Sequence, residues 1–324
     1  MQLALAGPYP AGVYEQVCAL LPGWEVTRID SQQELDTRTD LEFIILRTFK
    51  MNAALIAANP RLRMIQRWGV GFDTVDIAAA GEQGIPVAVA AGVNSHAVAE
   101  HTILLILAAL RNLVPIATDT AAGGWDRNTY AGRTYMLAEK QVGLVGCGAI
   151  GRHVTGLLKG LGAKVFYYDA FRLDRSAEEE LGLTYLELDE LFLQSDIVSL
   201  HLPMMEETKG MVDRKLLSRM KPTSLLINTS RGGLIDEEAL ADALKEGKLL
   251  GAALDSVSQE PYPADGCLRG APNLIITPHV AGTVVELNLH MARRVCENVL
   301  AVCQNRPLSR RDLVNGATCE YPTI

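Results

Sequence analysis

Short runs of consecutive apolar residues recur along this chain, separated by stretches in which apolar residues return at helical spacing. Such runs read as strands buried on both faces, and their alternation with helices reads as parallel strands joined by helical crossovers. The first set is Leu3 to Ala6, Glu25 to Ile29, Phe43 to Leu46, Met64 to Gln66 and Val87 to Val89. The second is Val142 to Val145, Lys164 to Tyr168, Ile197 to Leu200, Leu225 to Asn228, Gly251 to Leu254 and Leu274 to Ile276. Six strands complete a doubly wound nucleotide domain. Between the sets runs VAEHTILLILAALRNL, introduced by Asn94 or Ser95 as a cap and apolar almost all round. A helix of that kind must be buried on several sides, as an interdomain or intersubunit element. Ala121 to Arg133 is a glycine-rich loop, and Val284 to about Asn305 is a helix whose polar tail returns to the first domain. The expected fold is α/β, with two doubly wound parallel sheets. A first domain comprises residues 1–94 and 288–324, and a nucleotide domain, 95–287, is inserted into it.

The stretch QVGLVGCGAIGRHVTGLLKGLGAKVFYYD places a glycine turn between the first strand of the second set and a helix. Gly146, Gly148 and Gly151 suit the three demands of a diphosphate-binding turn: a sharp bend, close approach of backbone amides, and close helix-to-strand packing. The helix N-terminus then offers its unpaired N–H groups to the diphosphate. Such a pattern alone is weak. Here a strand precedes it, a helix follows it, and Asp169 closes the next strand eighteen residues beyond Gly151. A carboxylate there accepts from the ribose hydroxyls of NAD and repels the 2′-phosphate of NADP, so the expected cofactor is NAD. Arg172, just behind, has the opposite sense.

Composition narrows the partners. The chain has 324 residues, a net charge of −8 and 48% hydrophobic residues. That balance is ordinary for a globular protein and argues against nucleic acid or an anionic membrane as partner. The apolar run around Ile103 to Leu110 is too short to span a bilayer. MQLALAGPYP lacks the basic start and apolar core of a secretion signal. The six cysteines form no C-x-x-C pair and no metal spacing, and read as reduced thiols of a cytoplasmic protein with no structural metal.

Three polar residues each follow a strand of the second set: Arg231, Glu260 and His279. Ligands of open parallel sheets bind beyond the carboxyl ends of the strands, where these residues converge. Reduction of a ketone leaves negative charge on oxygen and calls for a proton donor and a fixed cation. His279 suits the proton, Glu260 the orientation of its ring, and Arg231 the carboxylate and carbonyl of a 2-oxo acid. Singly they would be a capping His, a surface Glu before Pro261 and a salt-bridged Arg. His201, in SLHLP, reads as a wall of the cofactor pocket, and His96, His101, His153 and His290 as helix residues without chemistry. In RWGVGFDTVD, two glycines flank Val70 directly after a strand and free amides for an anion, although a plain glycine-rich connector fits those residues equally.

With these blocks in view, the chain resembles the D-isomer-specific 2-hydroxyacid dehydrogenases. The resemblance runs from about Phe43 to Asn315 through GVGFDTVD, NSHAVAEH, GLVGCGAIGRHV with Asp169, HLPMMEETKGMV, LLINTSRGGLIDEEAL, GAALD, QEP and TPHVAGT. It implies a Rossmann NAD-binding domain inserted into a flavodoxin-like substrate domain, and a homodimer built through the long helix. It also implies that Arg231, Glu260 and His279 are catalytic, and that the amides of Val70 and Gly71 anchor the substrate carboxylate. Ala149, Ile150, Asp169, Thr229, Asp255 and Gly282 are similar to the family's cofactor contacts. The sequence departs where Ser256, Val257 and Ser258 replace a common hydrophobic or aromatic pair. Arg47, Lys50 and Arg67 are similar to basic residues that meet a distal phosphate in phosphoglycerate dehydrogenases, or are surface charge. The implied activity is NAD-dependent interconversion of a D-2-hydroxyacid and its 2-oxo acid. The substrate is either 3-phosphoglycerate/phosphohydroxypyruvate or glycerate, hydroxypyruvate or glyoxylate. Two rivals remain: a formate- or phosphite-type dehydrogenase, disfavoured because similar formate dehydrogenases carry glutamine in place of Glu260, and a non-catalytic NAD-sensing, corepressor-like protein.

Overall fold

The structure, a computed structural model, describes residues 1–324. The chain divides into two compact units, residues 1–94 with 284–324, and residues 95–283.

In the first unit five strands alternate with helices: β1 (Gln2–Ala6), α1 (Val13–Leu20), β2 (Glu25–Ile29), α2 (Gln32–Asp36), β3 (Phe43–Leu46), α3 (Ala53–Ala57), β4 (Met64–Arg67), α4 (Ile77–Glu82) and β5 (Val87–Ala88). All pairs are parallel, in the order β2-β1-β3-β4-β5. That is the flavodoxin-like order, with the reversal between β1 and β3. Successive side chains of a strand point to opposite faces, and the core is sorted accordingly. Leu3, Leu5, Phe43 and Ile45 pack with Val13 and Val17 of α1 on one face. Ala4, Ala6, Ile44 and Leu46 pack with Leu55, Ile56 and Ala80 on the other. Residues of the last helix, 285–303, join the first face through Met291, Val295 and Val299. The polar tail then borders β5, where the Val87 N–H donates to Asn315 Oδ1 at 2.9 Å and the Ala91 N–H to Asp312 Oδ1 at 2.9 Å.

The second unit opens with α5 (Ser95–Leu110) and α6 (Leu113–Ala121). The strands and helices that follow are β6 (Gln141–Val145), α7 (Ala149–Gly160), β7 (Lys164–Tyr168), α8 (Arg175–Leu181), β8 (Thr184–Tyr185), α9 (Leu188–Gln194), β9 (Ile197–Leu200), α10 (Arg214–Leu217), β10 (Leu225–Asn228), α11 (Glu237–Lys245), β11 (Gly251–Leu254) and β12 (Leu274–Ile276); the helix at 285–303 of the first unit is α12 (Val285–Cys303). The sheet is parallel, in the order β12-β11-β10-β9-β6-β7-β8. Its direction of winding reverses between β6 and β9, the switch point at which dinucleotides lie in such sheets. Helices α5 and α7 cover one face through Ile103, Ile106, Val154 and Leu158. Leu191, Leu216 and Leu240, from α9, α10 and α11, cover the other.

Two expectations are corrected. The sheet has seven strands rather than six, because β8 is two residues long and too short to show a period. The long helix stops at Leu110 and a second begins at Leu113, bent from it by 67°. Asn112 between them is left-handed, at φ 49°. Pro115 gives the reason: in a continuous helix its ring would collide with the carbonyl of Arg111, whereas in the first turn of a new helix it is tolerated. No single helix is long and apolar enough to cross a membrane.

Candidate active site

The glycine turn follows β6, and the three glycines are explained by three different neighbours. Gly146 has φ 101°, and a Cβ on it would stand 2.7 Å from the carbonyl oxygen of His201. A Cβ on Gly151 would run into the carbonyl oxygen of Gly146, so the first turn of α7 lies directly against the strand exit. Gly148, the residue before α7, has open space where a side chain would be, which leaves the backbone there accessible. Ala149 and Ile150 begin the helix, with first-turn N–H groups that have no helical acceptor. Asp169 follows β7 and braces the turn: Oδ2 accepts from the Cys147 N–H at 2.8 Å and Oδ1 from the Phe171 N–H at 3.0 Å. Each oxygen keeps a lone pair for a ribose hydroxyl. An open backbone at Gly148, a helix N-terminus and an acid at the end of the second strand together fit NAD.

The pocket walls come from the ends of β9 and β10. His201 donates its backbone N–H to the Val145 carbonyl at 2.8 Å and sets Nε2 2.9 Å from Ser199 Oγ. Burial pushes its pKa down to about 4, so the ring is neutral, and its Nδ1 has no protein partner. Thr229 is buried, with Oγ1 2.9 Å from Thr102 Oγ1 on α5.

The three expected catalytic residues lie on loops after β10, β11 and β12. Arg231 is shaped by its own turn: Asn228 Nδ2 donates to the Arg231 carbonyl at 2.8 Å, and Arg231 Nη1 donates to the Ser230 carbonyl at 2.8 Å. Gly232 explains how close the next loop comes, because a Cβ there would overlap the backbone of Val257 and Ser258. That loop is pinned by Ser258 N–H donating to Glu237 Oε1 at 2.6 Å, and Val257 enters the core. The Ser256, Val257, Ser258 departure is thus a packed wall, with Val257 as its apolar member.

His279 and Glu260 meet directly. Nδ1 of His279 is 3.0 Å from Oε1 and 2.9 Å from Oε2. Burial pushes the Glu260 carboxyl up, but the hydrogen bond and charge of His279, the Val257 N–H and the Arg231 guanidinium outweigh it and leave the group below its usual range. An ionised carboxylate can only accept, so Nδ1 carries the proton it donates and Nε2 is left for chemistry. His279 sits at φ 55°, a left-handed conformation uncommon for a non-glycine residue and frequent at functional sites.

What holds His279 there is Asp255, whose carboxylate is 1% exposed. Its Oδ1 accepts from Thr277 Oγ1 at 2.5 Å and the Val280 N–H at 3.0 Å, and Oδ2 accepts from the Ala281 N–H at 2.8 Å. The His279 N–H donates to the Asp255 carbonyl at 2.8 Å. Gly282 continues this turn. His101, on α5, reaches the same cluster, with Nε2 3.2 Å from Thr277 Oγ1 and 3.4 Å from Asp255 Oδ1. Thr277 and His101 fall inside the TPHVAGT and NSHAVAEH blocks, but nothing in their residue types assigns them this contact. The available signal is the spacing of Thr277 two residues before a strand-end histidine.

In the first unit, Val70 and Gly71 lie in the loop after β4, and neither N–H has a protein acceptor. Arg67 is 7% exposed and braces this loop, donating from Nε to the Gly71 carbonyl at 2.8 Å and from Nη1 to the Leu46 carbonyl at 3.1 Å. Arg47 turns its guanidinium onto the Pro8 carbonyl, and Lys50 is exposed.

Comparison with known proteins shows the family. Residues 103–281 match the model of the D-isomer specific 2-hydroxyacid dehydrogenase NAD-binding domain. The chain is 38% identical over 260 residues to a glyoxylate reductase of Korarchaeum cryptofilum, covering 80% of this chain and 78% of that one. It is 34% identical over 293 residues to a D-3-phosphoglycerate dehydrogenase of Synechocystis, covering 90% of this chain and 52% of that longer protein. Among solved structures, the NAD complex of an NAD-dependent formate dehydrogenase from Staphylococcus aureus superposes with a TM-score of 0.87. The two are 28% identical, over 97% of this chain and 99% of that one.

Proposed function

Because this chain belongs to the D-isomer specific 2-hydroxyacid dehydrogenases, NAD-dependent oxidoreductases acting on CH–OH groups, we propose that it interconverts a D-2-hydroxyacid and its 2-oxo acid with His279 as acid/base. The observation that carries this reading is the pairing of His279 Nδ1 with Glu260, which leaves Nε2 free to hold a proton at the reacting oxygen. Gly146 to Gly151 and Asp169 would hold NAD, which would accept a hydride in one direction and donate one in the other. In reduction, His279 Nε2 gives its proton to the carbonyl oxygen; in oxidation it takes the hydroxyl proton back. Glu260 orients the ring and fixes its tautomer. Arg231 binds the substrate carboxylate and steadies charge on the carbonyl oxygen. The first unit offers a carboxylate the N–H groups of Val70 and Gly71.

For the substrate, we favour an unphosphorylated acid: glycerate with hydroxypyruvate, or glyoxylate. Arg67 gives donors to two backbone carbonyls and Arg47 lies on Pro8, which leaves Lys50 as the exposed cation of the three proposed for a phosphate. Phosphohydroxypyruvate is the second reading, supported by the likeness to the Synechocystis enzyme. The same reading makes the protein a cytoplasmic homodimer. Its apolar Leu104, Leu113 and Val114, exposed on α5 and α6, support a partner copy.

The test is NADH oxidation against hydroxypyruvate, glyoxylate and phosphohydroxypyruvate, with formate oxidation alongside. Turnover of the first two supports the favoured substrate, and turnover confined to phosphohydroxypyruvate replaces it with the second. Turnover of formate alone moves the reading to a formate-type dehydrogenase. NADH binding without turnover of any of them leaves the NAD-sensing, corepressor-like protein.

A further inference from the structure

Asp169 and Arg172 stand three residues apart with opposite preferences for the cofactor. A carboxylate at the end of the second strand repels a 2′-phosphate, and a guanidinium nearby grips one. The structure separates them by what holds each. Asp169 is turned onto the glycine turn and the Phe171 amide. Arg172 is drawn the other way, onto α8, where Nε donates to Glu178 Oε1 at 2.8 Å and Nη2 to Oε2 at 3.1 Å. Its Cζ also lies 4.7 Å from the centroid of the Tyr185 ring.

Glu178 is itself held in place. Tyr167, fully buried on β7, donates its hydroxyl to Glu178 Oε1 at 2.7 Å and accepts the Leu173 N–H at 3.0 Å. The Glu178 side chain is 12% exposed, against 59% for Arg172. The bond from Arg172 first, and that from Tyr167 second, keep the Glu178 carboxyl below its usual range, so it stays ionised at neutral pH. Two exposed side chains in an ion pair would exchange readily for a phosphate. A two-toothed fork on a carboxylate oriented by a buried phenol, with a ring beneath the guanidinium, yields its donors less easily.

We propose that Glu178 is a second determinant of coenzyme choice, holding Arg172 on α8 and so denying the 2′-phosphate of NADP the cation it requires. Selectivity of this kind works by withholding a contact from the competitor, and it adds to the repulsion by Asp169. The inference rests on the NAD reading of the glycine turn.

The test titrates the full-length chain with NADH and with NADPH, without substrate, following nicotinamide fluorescence. Glu178→Gln keeps an oxygen for Tyr167 and removes the charge that holds Arg172. It should tighten NADPH about tenfold, the scale of one charge-assisted contact, and leave NADH within about twofold. Adding Arg172→Ala to that variant should abolish the gain. NADPH affinity that does not move, or a gain that survives Arg172→Ala, overturns the inference. Should Glu178→Gln fail to fold, Glu178→Asp breaks the fork by shortening the side chain and is read by the same ratio. A wild-type chain that binds neither coenzyme overturns the NAD reading and this inference with it. NADH binding with an unaltered NADPH affinity overturns this inference alone.

Discussion

A single nitrogen of His279, Nδ1, faces both carboxylate oxygens of Glu260, at 3.0 and 2.9 Å. The pairing fixes the tautomer and the tilt of the ring together, and it makes the two side chains one functional group.

His279→Ala should therefore lower turnover by about 10²- to 10⁴-fold, the usual worth of a positioned acid/base, while NADH still binds. Steady-state rates beside a fluorescence titration decide it, and unchanged turnover would remove His279 from the mechanism.

Glu260→Gln keeps an acceptor for Nδ1 and loses the charge. Because the folded carboxyl lies below its ordinary range, the charged contact is fully present above the usual carboxylate pKa, about 4.3, and is lost only as pH falls through the lower folded value. At neutral pH wild type has the full effect and the variant has none. The advantage of wild type over the variant in kcat/KM should therefore narrow as pH falls below about 4.3, where Glu260 loses its charge; a gap independent of pH would show that Glu260 acts by shape alone.

Thr277→Val removes the hydroxyl shared by Asp255 and His101. Asp255 keeps its N–H donors, so the fold should lose only about 1–2 kcal/mol, the worth of a hydrogen bond to a charged group. Turnover should fall more than stability predicts, because the turn that places His279 is loosened. Thermal unfolding and kcat measured together would expose the opposite result, a fold weakened with kcat intact.

The sequence displays the sheets and the three strand-end residues plainly, because buried parallel strands are apolar runs and the site lies where they end. It does not display the contact between Thr277 and His101. Their meeting depends on α5 lying across the ends of strands far along the chain, and no local period records that. Pro115 was a visible reason for the break after Leu110, yet the apolar run around it masks the bend. Arg67 shows the other limit. A charge near a strand end suggests an anion, and only the fold reveals that its donors brace the Gly71 loop.

Gly232→Ala tests how closely the Arg231 and Glu260 loops approach. The added methyl overlaps the Val257 and Ser258 backbone, so one loop must move. Overpacking of this kind costs about 1–3 kcal/mol. Turnover should fall with it, and a variant with wild-type melting temperature and rate would show that the loops have slack.

Asp196 ties together the starts of three strands. Its Oδ2 accepts from the Gln141 N–H at 3.0 Å, its Oδ1 from Lys221 Nζ at 2.9 Å, and its carbonyl from the Leu225 N–H at 3.0 Å. Burial pushes the carboxyl up, and the Gln141 N–H and Lys221 pull it further down. Its stabilisation is thus complete above the unfolded pKa, about 3.9, and disappears as pH drops through the lower folded value. Asp196→Asn should lower the melting temperature at pH 7, and the gap from wild type should close below about pH 4. A gap independent of pH would assign the loss to shape.

The Val87 N–H finds its acceptor in Asn315, 228 positions later, and the Ala91 N–H finds Asp312 after 221. A ribosome delivers the first five strands long before these partners exist, so the border of β5 stays bare while the whole nucleotide-binding unit is being made and can already fold. The border of β5 is therefore closed only by residues made after the nucleotide-binding unit, so completion of the first sheet waits on the synthesis of the second.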